Sequence, residues 1–166
     1  MVRFRSLVGG SLLGLAALAA PAVMLGVTGC MNSAPAPTAS LYDRLGGDAA
    51  ISAVVDDFVN TAAADPAVNF TRAGVAGAPK WDPTPENVAI LKKHLTEFIE
   101  VAAGGPQKYE GRPNKEVHAG MKITEAEFGA IAKDLSNSLD KFKVPQKEHD
   151  ELMAAVAGTH DDIVQP

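Results

Sequence analysis

The side chains best suited to bind a metal are four histidines, since the 166-residue chain has a single cysteine. They are His94, His118, His149 and His160. His118 follows apolar Val117 and precedes a small residue and a glycine, Ala119-Gly120. That sequence leaves open space where a flat cofactor could approach, and a neutral imidazole is a good iron ligand. Position alone leaves His118 either an iron ligand or an ordinary histidine at the edge of a core.

The other histidines differ in their surroundings. His94 lies at the edge of the apolar stripe of a predicted helix, next to Lys92 and Lys93, so its ring could turn inward or toward water. His149 stands in a run of charged residues, which predicts a surface position. His160 falls late in the last predicted helix, and its spacing assigns it no role.

The only cysteine, Cys30, closes an N-terminal segment with the layout of an export signal. Arg3 and Arg5 precede a small and apolar run over residues 7–27, and the first thirty residues contain no acid. The ending Val27-Thr28-Gly29-Cys30 resembles a bacterial lipobox, in which cleavage before the cysteine is followed by lipid attachment. We expect residues 1–29 to be a lipoprotein signal peptide and lipid on Cys30 to hold an exported protein on a membrane. An uncleaved transmembrane anchor is the alternative, because the run is long enough to span a bilayer.

Composition describes the remaining chain as an acidic domain on a short tether. Residues 30–40 are mostly small and include two prolines, which predicts a semi-extended linker. Apart from Arg3 and Arg5 the chain carries 13 basic and 20 acidic side chains, a poor balance for binding nucleic acid. We therefore predict one globular domain over residues 41–166 and no nucleic-acid partner.

The apolar pattern from residue 41 onward is helical, with no convincing strand. Helices are predicted over about 48–64, from Thr84-Pro85 to the stop at 104–106, from the capping box at 124–127, and from 145 to the end. A short helical turn is predicted around 113–119, and residues 66–83 form a long loop of the kind that often lies near a ligand. The fold class is all-α.

Several motifs, taken together, resemble one family. They are Leu41-Tyr42-Asp43-Arg44-Leu45-Gly46-Gly47, Val55-Asp56-Asp57-Phe58, Asp65-Pro66, GGPQKYEGR at 104–112 and VHAGMKIT at 117–124. In this order and spacing they resemble the group 1 truncated haemoglobins. The resemblance implies a two-over-two helical sandwich around haem b (iron protoporphyrin IX), with His118 as the proximal iron ligand. It also implies a haem cavity lined by Phe58, Val59, Leu91, Leu95, Phe98, Tyr109, Ile123, Phe128 and Leu135.

The chain departs from many of these relatives on the distal side. Val59 stands where they have a tyrosine, and Leu95 where they have a glutamine, and neither can donate a hydrogen bond. Some relatives place a histidine at the position of His94, where it can bind iron from the distal side. A histidine near His160 bonds covalently to a haem vinyl group in some relatives.

The resemblance predicts a haem globin that binds diatomic gases, oxygen or nitric oxide, or transfers electrons. Without distal donors we expect nitric oxide handling, electron transfer or sensing rather than oxygen storage. Nitric oxide dioxygenase activity would require an external reductase, because this chain contains none. The alternative is a helical interaction lipoprotein that kept the fold and lost haem.

Overall fold

The computed structural model describes residues 39–164, and within that range every regular element is a helix. The seven helices are α1 (Leu41–Leu45), α2 (Gly47–Ala64), α3 (Pro85–Ala102), α4 (Asn114–Val117), α5 (Glu125–Lys141), α6 (Gln146–Ala157) and α7 (His160–Ile163). The predicted all-α class is confirmed.

Two of the long helices, α3 and α5, begin directly after threonines whose side chains cap them. The Thr84 hydroxyl accepts a hydrogen bond from the Asn87 amide, and Pro85 occupies the first turn of α3. At α5 the Thr124 hydroxyl accepts from the Glu127 amide while the Glu127 carboxylate accepts from the Thr124 amide. This is the capping box predicted from the sequence.

The prediction of one continuous helix from residue 145 to the end is wrong, because the structure has two helices there. α6 ends at Ala157, and α7 begins at His160 after a turn at Gly158-Thr159. The Thr159 hydroxyl donates to the carbonyl of Val156 at 2.7 Å, so the side chain caps a carbonyl at the end of α6. The change of direction at this turn gives α7 a different neighbour, α4.

The core is built around α2, which packs against both α3 and α5, while α5 also packs against α6. The two pairs, α2 with α3 and α5 with α6, form the two layers of the sandwich. Six apolar residues of α2 are buried, because its apolar positions recur at helical spacing on the faces toward α3 and α5. The buried core comprises Ile51, Val54, Val55, Phe58, Val59, Ala62, Ile99, Leu135, Leu139 and Leu152.

The predicted loop between α2 and α3 is present and is anchored by one buried arginine. Arg72 is 4% exposed; its guanidinium donates to the Glu127 carboxylate at 2.6 Å and to the carbonyl of Lys122 at 2.8 Å. Both partners lie at or just before the start of α5. The loop is therefore fastened to the layer opposite α3.

The signal peptide, Cys30 and all but the end of the predicted tether lie outside the described residues. Between residues 39 and 164, none of the helices combines the length and apolar character needed to span a bilayer.

Candidate functional site

His118 is the residue that follows α4, and its ring is oriented by the helix that precedes it. Its Nδ1 lies 2.8 Å from the carbonyl oxygen of Asn114, one helical turn earlier. A carbonyl only accepts, so Nδ1 carries the hydrogen and the lone pair is on Nε2. Nε2 is then the ring nitrogen whose lone pair can bind a metal.

Burial keeps the His118 imidazole neutral. Desolvation lowers its pKa below the ordinary value, although the Asn114 carbonyl and the carboxylate of Asp162 oppose the shift. A neutral ring with a free Nε2 is the form of histidine that binds iron. The sequence interpretation missed Asn114 and Asp162; the four-residue spacing of Asn114 from His118 was the available pattern for the first, and nothing local indicates the second.

Three aromatic rings of the predicted site lie together on the α3 side. Tyr109 packs edge-on against Phe98, with ring centroids 6.0 Å apart, and against His94, with centroids 6.1 Å apart. Both partners are on α3, whereas Tyr109 is in the segment between α3 and α4. The structure therefore places His94 beside predicted haem-contact residues.

Tyr109 is held in place at its hydroxyl and by a neighbouring glycine. The hydroxyl donates to the carbonyl of Arg112 at 3.0 Å, and burial raises the pKa of the phenol. A side-chain carbon added to Gly111 would lie 2.3 Å from the Tyr109 ring and hydroxyl, closer than atoms can approach. Residue 111 must therefore be glycine while the tyrosine ring keeps this position.

The predicted pocket residues differ in burial in a way that fits a flat apolar cofactor. Phe58, Val59 and Leu135 are buried in the core. Half-buried are Leu91, Leu95, Phe98, Tyr109, His118, Ile123 and Phe128. Large apolar side chains normally bury more of their surface, so this half-covered apolar face on α3, α5 and the segment between them suits a porphyrin. A single histidine nitrogen from the protein is enough to bind haem iron, because the porphyrin itself supplies four nitrogen ligands.

His149 corrects a prediction. Its side chain is 12% exposed and its Nε2 lies 3.0 Å from the hydroxyl of Ser136, so the expected surface position is wrong. The reason is that α6 packs against α5 along the face that carries His149. His160 lies on α7, where its ring meets Phe128 edge-on with centroids 5.1 Å apart.

Two cavities in the described chain lie away from these residues. A core cavity of about 20 Å³, enough for about one water, is lined by residues of α1, α2, α3, α5 and α6 together with Val144. A surface depression of about 400 Å³ is formed by the loop around Trp81. Neither contains a residue of the predicted haem site.

Comparison with known proteins agrees with this arrangement. Residues 40–165 match the family described as bacterial-like globin. A group 1 truncated haemoglobin of Mycolicibacterium paratuberculosis is 35% identical over 128 residues, covering 77% of this chain and 86% of the relative. One from Synechocystis is 31% identical over 123 residues, covering 72% of this chain and 90% of the relative.

Solved structures show the same fold. The Fe(III) truncated haemoglobin of Tetrahymena pyriformis superposes with a TM-score of 0.65 at 25% identity, covering 77% of this chain and all of that one. The 2/2 haemoglobin of Synechococcus, solved in the cyanomet state with covalently attached haem, gives a TM-score of 0.63 at 29% identity. It covers 76% of this chain and 98% of that one.

The all-helical fold, the family match and the similar relatives together define a haem-binding globin of the truncated, two-over-two class. The chain belongs to the bacterial-like globin family, and its cofactor is haem.

Proposed function

We propose that His118 is the single protein ligand on the proximal side of the haem iron, bound through Nε2. The observation that carries the proposal is the hydrogen bond from Nδ1 to the Asn114 carbonyl, 2.8 Å long, which fixes the tautomer and leaves Nε2 free. A hydrogen bond on the second nitrogen is how ligating histidines are usually oriented. Burial, which keeps the ring neutral, supports the same role.

The proposed activity is binding of diatomic gases or one-electron transfer. Bound haem supplies an iron that can take a small ligand and change oxidation state. The chain's own residues hold the proximal imidazole and surround the iron with apolar groups. Phe58 and Val59 are buried, and Leu91, Leu95 and Phe98 pack against the same core, so this wall excludes water.

The distal wall favours nitric oxide handling, electron transfer or sensing over oxygen storage. Val59 and Leu95 have no hydrogen-bond donor, so neither can retain polar oxygen in the way a tyrosine or glutamine would. Redox turnover, including nitric oxide dioxygenation, would require a separate reductase as partner. His94, whose ring lies edge-on to Tyr109, is the candidate for a distal ligand.

Haemin titration of His118→Ala tests the proximal assignment. We expect wild type to give a sharp Soret band with stoichiometric haemin, and His118→Ala to lose or shift it and regain it with added imidazole. His149→Ala is the matched control, because His149 is another part-buried histidine but contacts Ser136. A wild-type protein that stays colourless would favour a haem-free interaction module, and an unchanged His118→Ala spectrum would refute the ligand assignment.

The ferric spectrum of His94→Ala tests distal ligation. If His94 binds the iron, wild type is low-spin and six-coordinate, and the variant becomes high-spin. A high-spin wild type that does not change on substitution would rule out His94 as a distal ligand.

We further propose that the globin domain is exported and carried on a membrane by lipid on Cys30. The lipobox-like ending of the apolar run supports this, together with the two arginines before it. The globin would then act on gases or electrons at the outer face of that membrane.

A further inference from the structure

α4, the helix that ends just before His118, is too short to keep a fixed orientation without contacts to the rest of the fold. α4 has four residues, Asn114–Val117, and its N-cap residue Pro113 offers no side-chain hydrogen bond. Helices of this length are not stable in isolation, so their orientation depends on tertiary contacts. α4 packs mainly against α7, another four-residue helix without a side-chain cap.

α7 is in turn fastened to α5 by His160. The Nε2 of His160 lies 2.8 Å from the carboxylate of Glu125, the first residue of α5, and Nδ1 lies 2.9 Å from the carboxylate of Asp161. The ring also meets Phe128 of α5 edge-on, with ring planes at 90°. One side chain of α7 therefore contacts α5 through both an ion pair and an aromatic ring.

The same short helix reaches His118 electrostatically. Asp162, two residues after His160, acts on His118 through the charge of its carboxylate. α7 thus faces α5 through His160 and the proximal histidine through Asp162. A shift of α7 would move both contacts.

From this chain of contacts we infer that His160 is a positioning residue for the haem: it fixes α7 against α5, and α7 in turn fixes α4 and the direction of the His118 imidazole. The inference rests on the proposed proximal role of His118. It gives His160 a function other than covalent attachment to haem. Each ring nitrogen faces a carboxylate and so carries a hydrogen, whereas bonding to a vinyl carbon would require a nitrogen with a free lone pair.

The test compares His160→Ala, Glu125→Gln and His160→Lys in the purified full-length protein. His160→Ala removes both contacts of His160 with α5, and Glu125→Gln removes the charge of the ion pair but keeps the Phe128 contact. His160→Lys keeps a positive charge facing Glu125. His149→Ala is the control, because it removes a part-buried histidine from α6 without touching α7. The readouts are the ferrous iron–imidazole stretching band, the haem dissociation rate and amide exchange across residues 114–118.

We expect His160→Ala and Glu125→Gln to broaden or shift the stretching band and speed haem loss by about fivefold, the change that corresponds to one exposed ion pair. Exchange at 114–118 should become faster in both. His160→Lys should show most of the wild-type behaviour in all three readouts. His149→Ala should leave the stretching band unchanged.

An iron–imidazole band and exchange pattern in His160→Ala identical to wild type would overturn the inference, as would equal changes in His149→Ala. Failure of the proposed function looks different, since wild type itself would then bind no haem through His118. Amide exchange requires no haem, so it reports on the fastening of α4 in either case.

Discussion

Val59 is 4% exposed and follows Phe58 on the buried surface of α2. Its branched apolar side chain has no polar atom, so it cannot favour one gas over another by hydrogen bonding. Discrimination between gases at this position would depend on the shape of the apolar cavity and on the exclusion of water from it. A hydrogen-bond donor at this position would change that chemistry.

Val59→Tyr should slow oxygen dissociation from the ferrous protein by about fivefold, because one net hydrogen bond contributes about 1 kcal/mol. Stopped-flow ligand displacement measures the rate. Val59→Phe is the control, since it adds the same ring without the hydroxyl. Equal rates in the two variants would show that the new side chain does not reach the gas.

Glu100 is a buried carboxyl group on α3, 1% exposed, with one side-chain oxygen lacking a partner among the described residues. Burial raises its pKa, and a shared hydrogen bond with Asp48 adds to the shift. Because the folded-state pKa is raised, the folded protein loses stability as the pH rises through it. Glu97, one turn earlier, has the opposite behaviour, since its hydrogen bond with Lys93 lowers its pKa.

Glu100→Gln should therefore raise the free energy of unfolding by about 1 kcal/mol near pH 7 and by less near pH 4. Glu97→Gln should lower it near pH 7, because the ionised form of Glu97 is the stabilising one. Urea unfolding of the haem-loaded proteins at both pH values measures the differences. A Glu100→Gln variant less stable than wild type near pH 7 would contradict the assigned direction.

At the scale of the element, the loop between α2 and α3 is attached to the start of α5 through the side chain of Arg72. The Arg72 guanidinium bonds Glu127 and the Lys122 carbonyl, and Lys122 in turn donates to the carbonyl of Ala76 at 2.7 Å. Burial acts to raise the pKa of Glu127, but hydrogen bonds from Arg72 and Thr124 overcome that effect and lower it. The pair stabilises the fold above the unfolded-state pKa of Glu127 and stops doing so as the pH falls through the folded-state value.

Arg72→Met should lower the free energy of unfolding by about 3 kcal/mol, since it leaves a part-buried carboxylate and a carbonyl without their donor. It should also speed proteolytic cleavage between residues 65 and 84. Lys80→Met removes an exposed charge from the same loop and should change neither quantity. Matching results for the two variants would show that the loop is not held by Arg72.

Local patterns in the sequence predicted the helices well, because caps, prolines and apolar spacing act over a few residues. Thr84, Thr124 and the stop at residues 104–106 are of this kind. Contacts between distant elements were not predictable in the same way. His149 looks exposed in its charged run but meets Ser136 on α5, and Arg72 lies 55 residues from Glu127. The candidate iron ligand was identified only because a family motif surrounds it.

For the whole molecule, the proposed arrangement is a globin domain carried on a lipid anchor by residues 30–40. In this proposal the lipid on Cys30 would hold the protein on the membrane. The haem site should not depend on that attachment, because its predicted residues all lie between residues 58 and 135.

Cys30→Ala should abolish fatty-acid labelling and leave residues 1–29 attached in a bacterial host that processes lipoproteins, because it removes the residue at which cleavage and lipid attachment take place. Its haem spectrum should match wild type. Intact mass and labelling with a fatty-acid probe measure the two effects. A wild-type protein that kept residues 1–29 and carried no fatty-acid label would show that the apolar run is an uncleaved anchor rather than a signal peptide.

The close approach of Tyr109 to Gly111 has an evolutionary consequence. A side chain at residue 111 collides with the tyrosine ring, but the collision disappears if residue 109 is small. The two positions are therefore epistatic: substitution at 111 is harmful on one background and tolerated on the other. Lineages that lose the aromatic ring first can then lose the glycine without a clash, whereas the reverse order requires the Tyr109 ring to move.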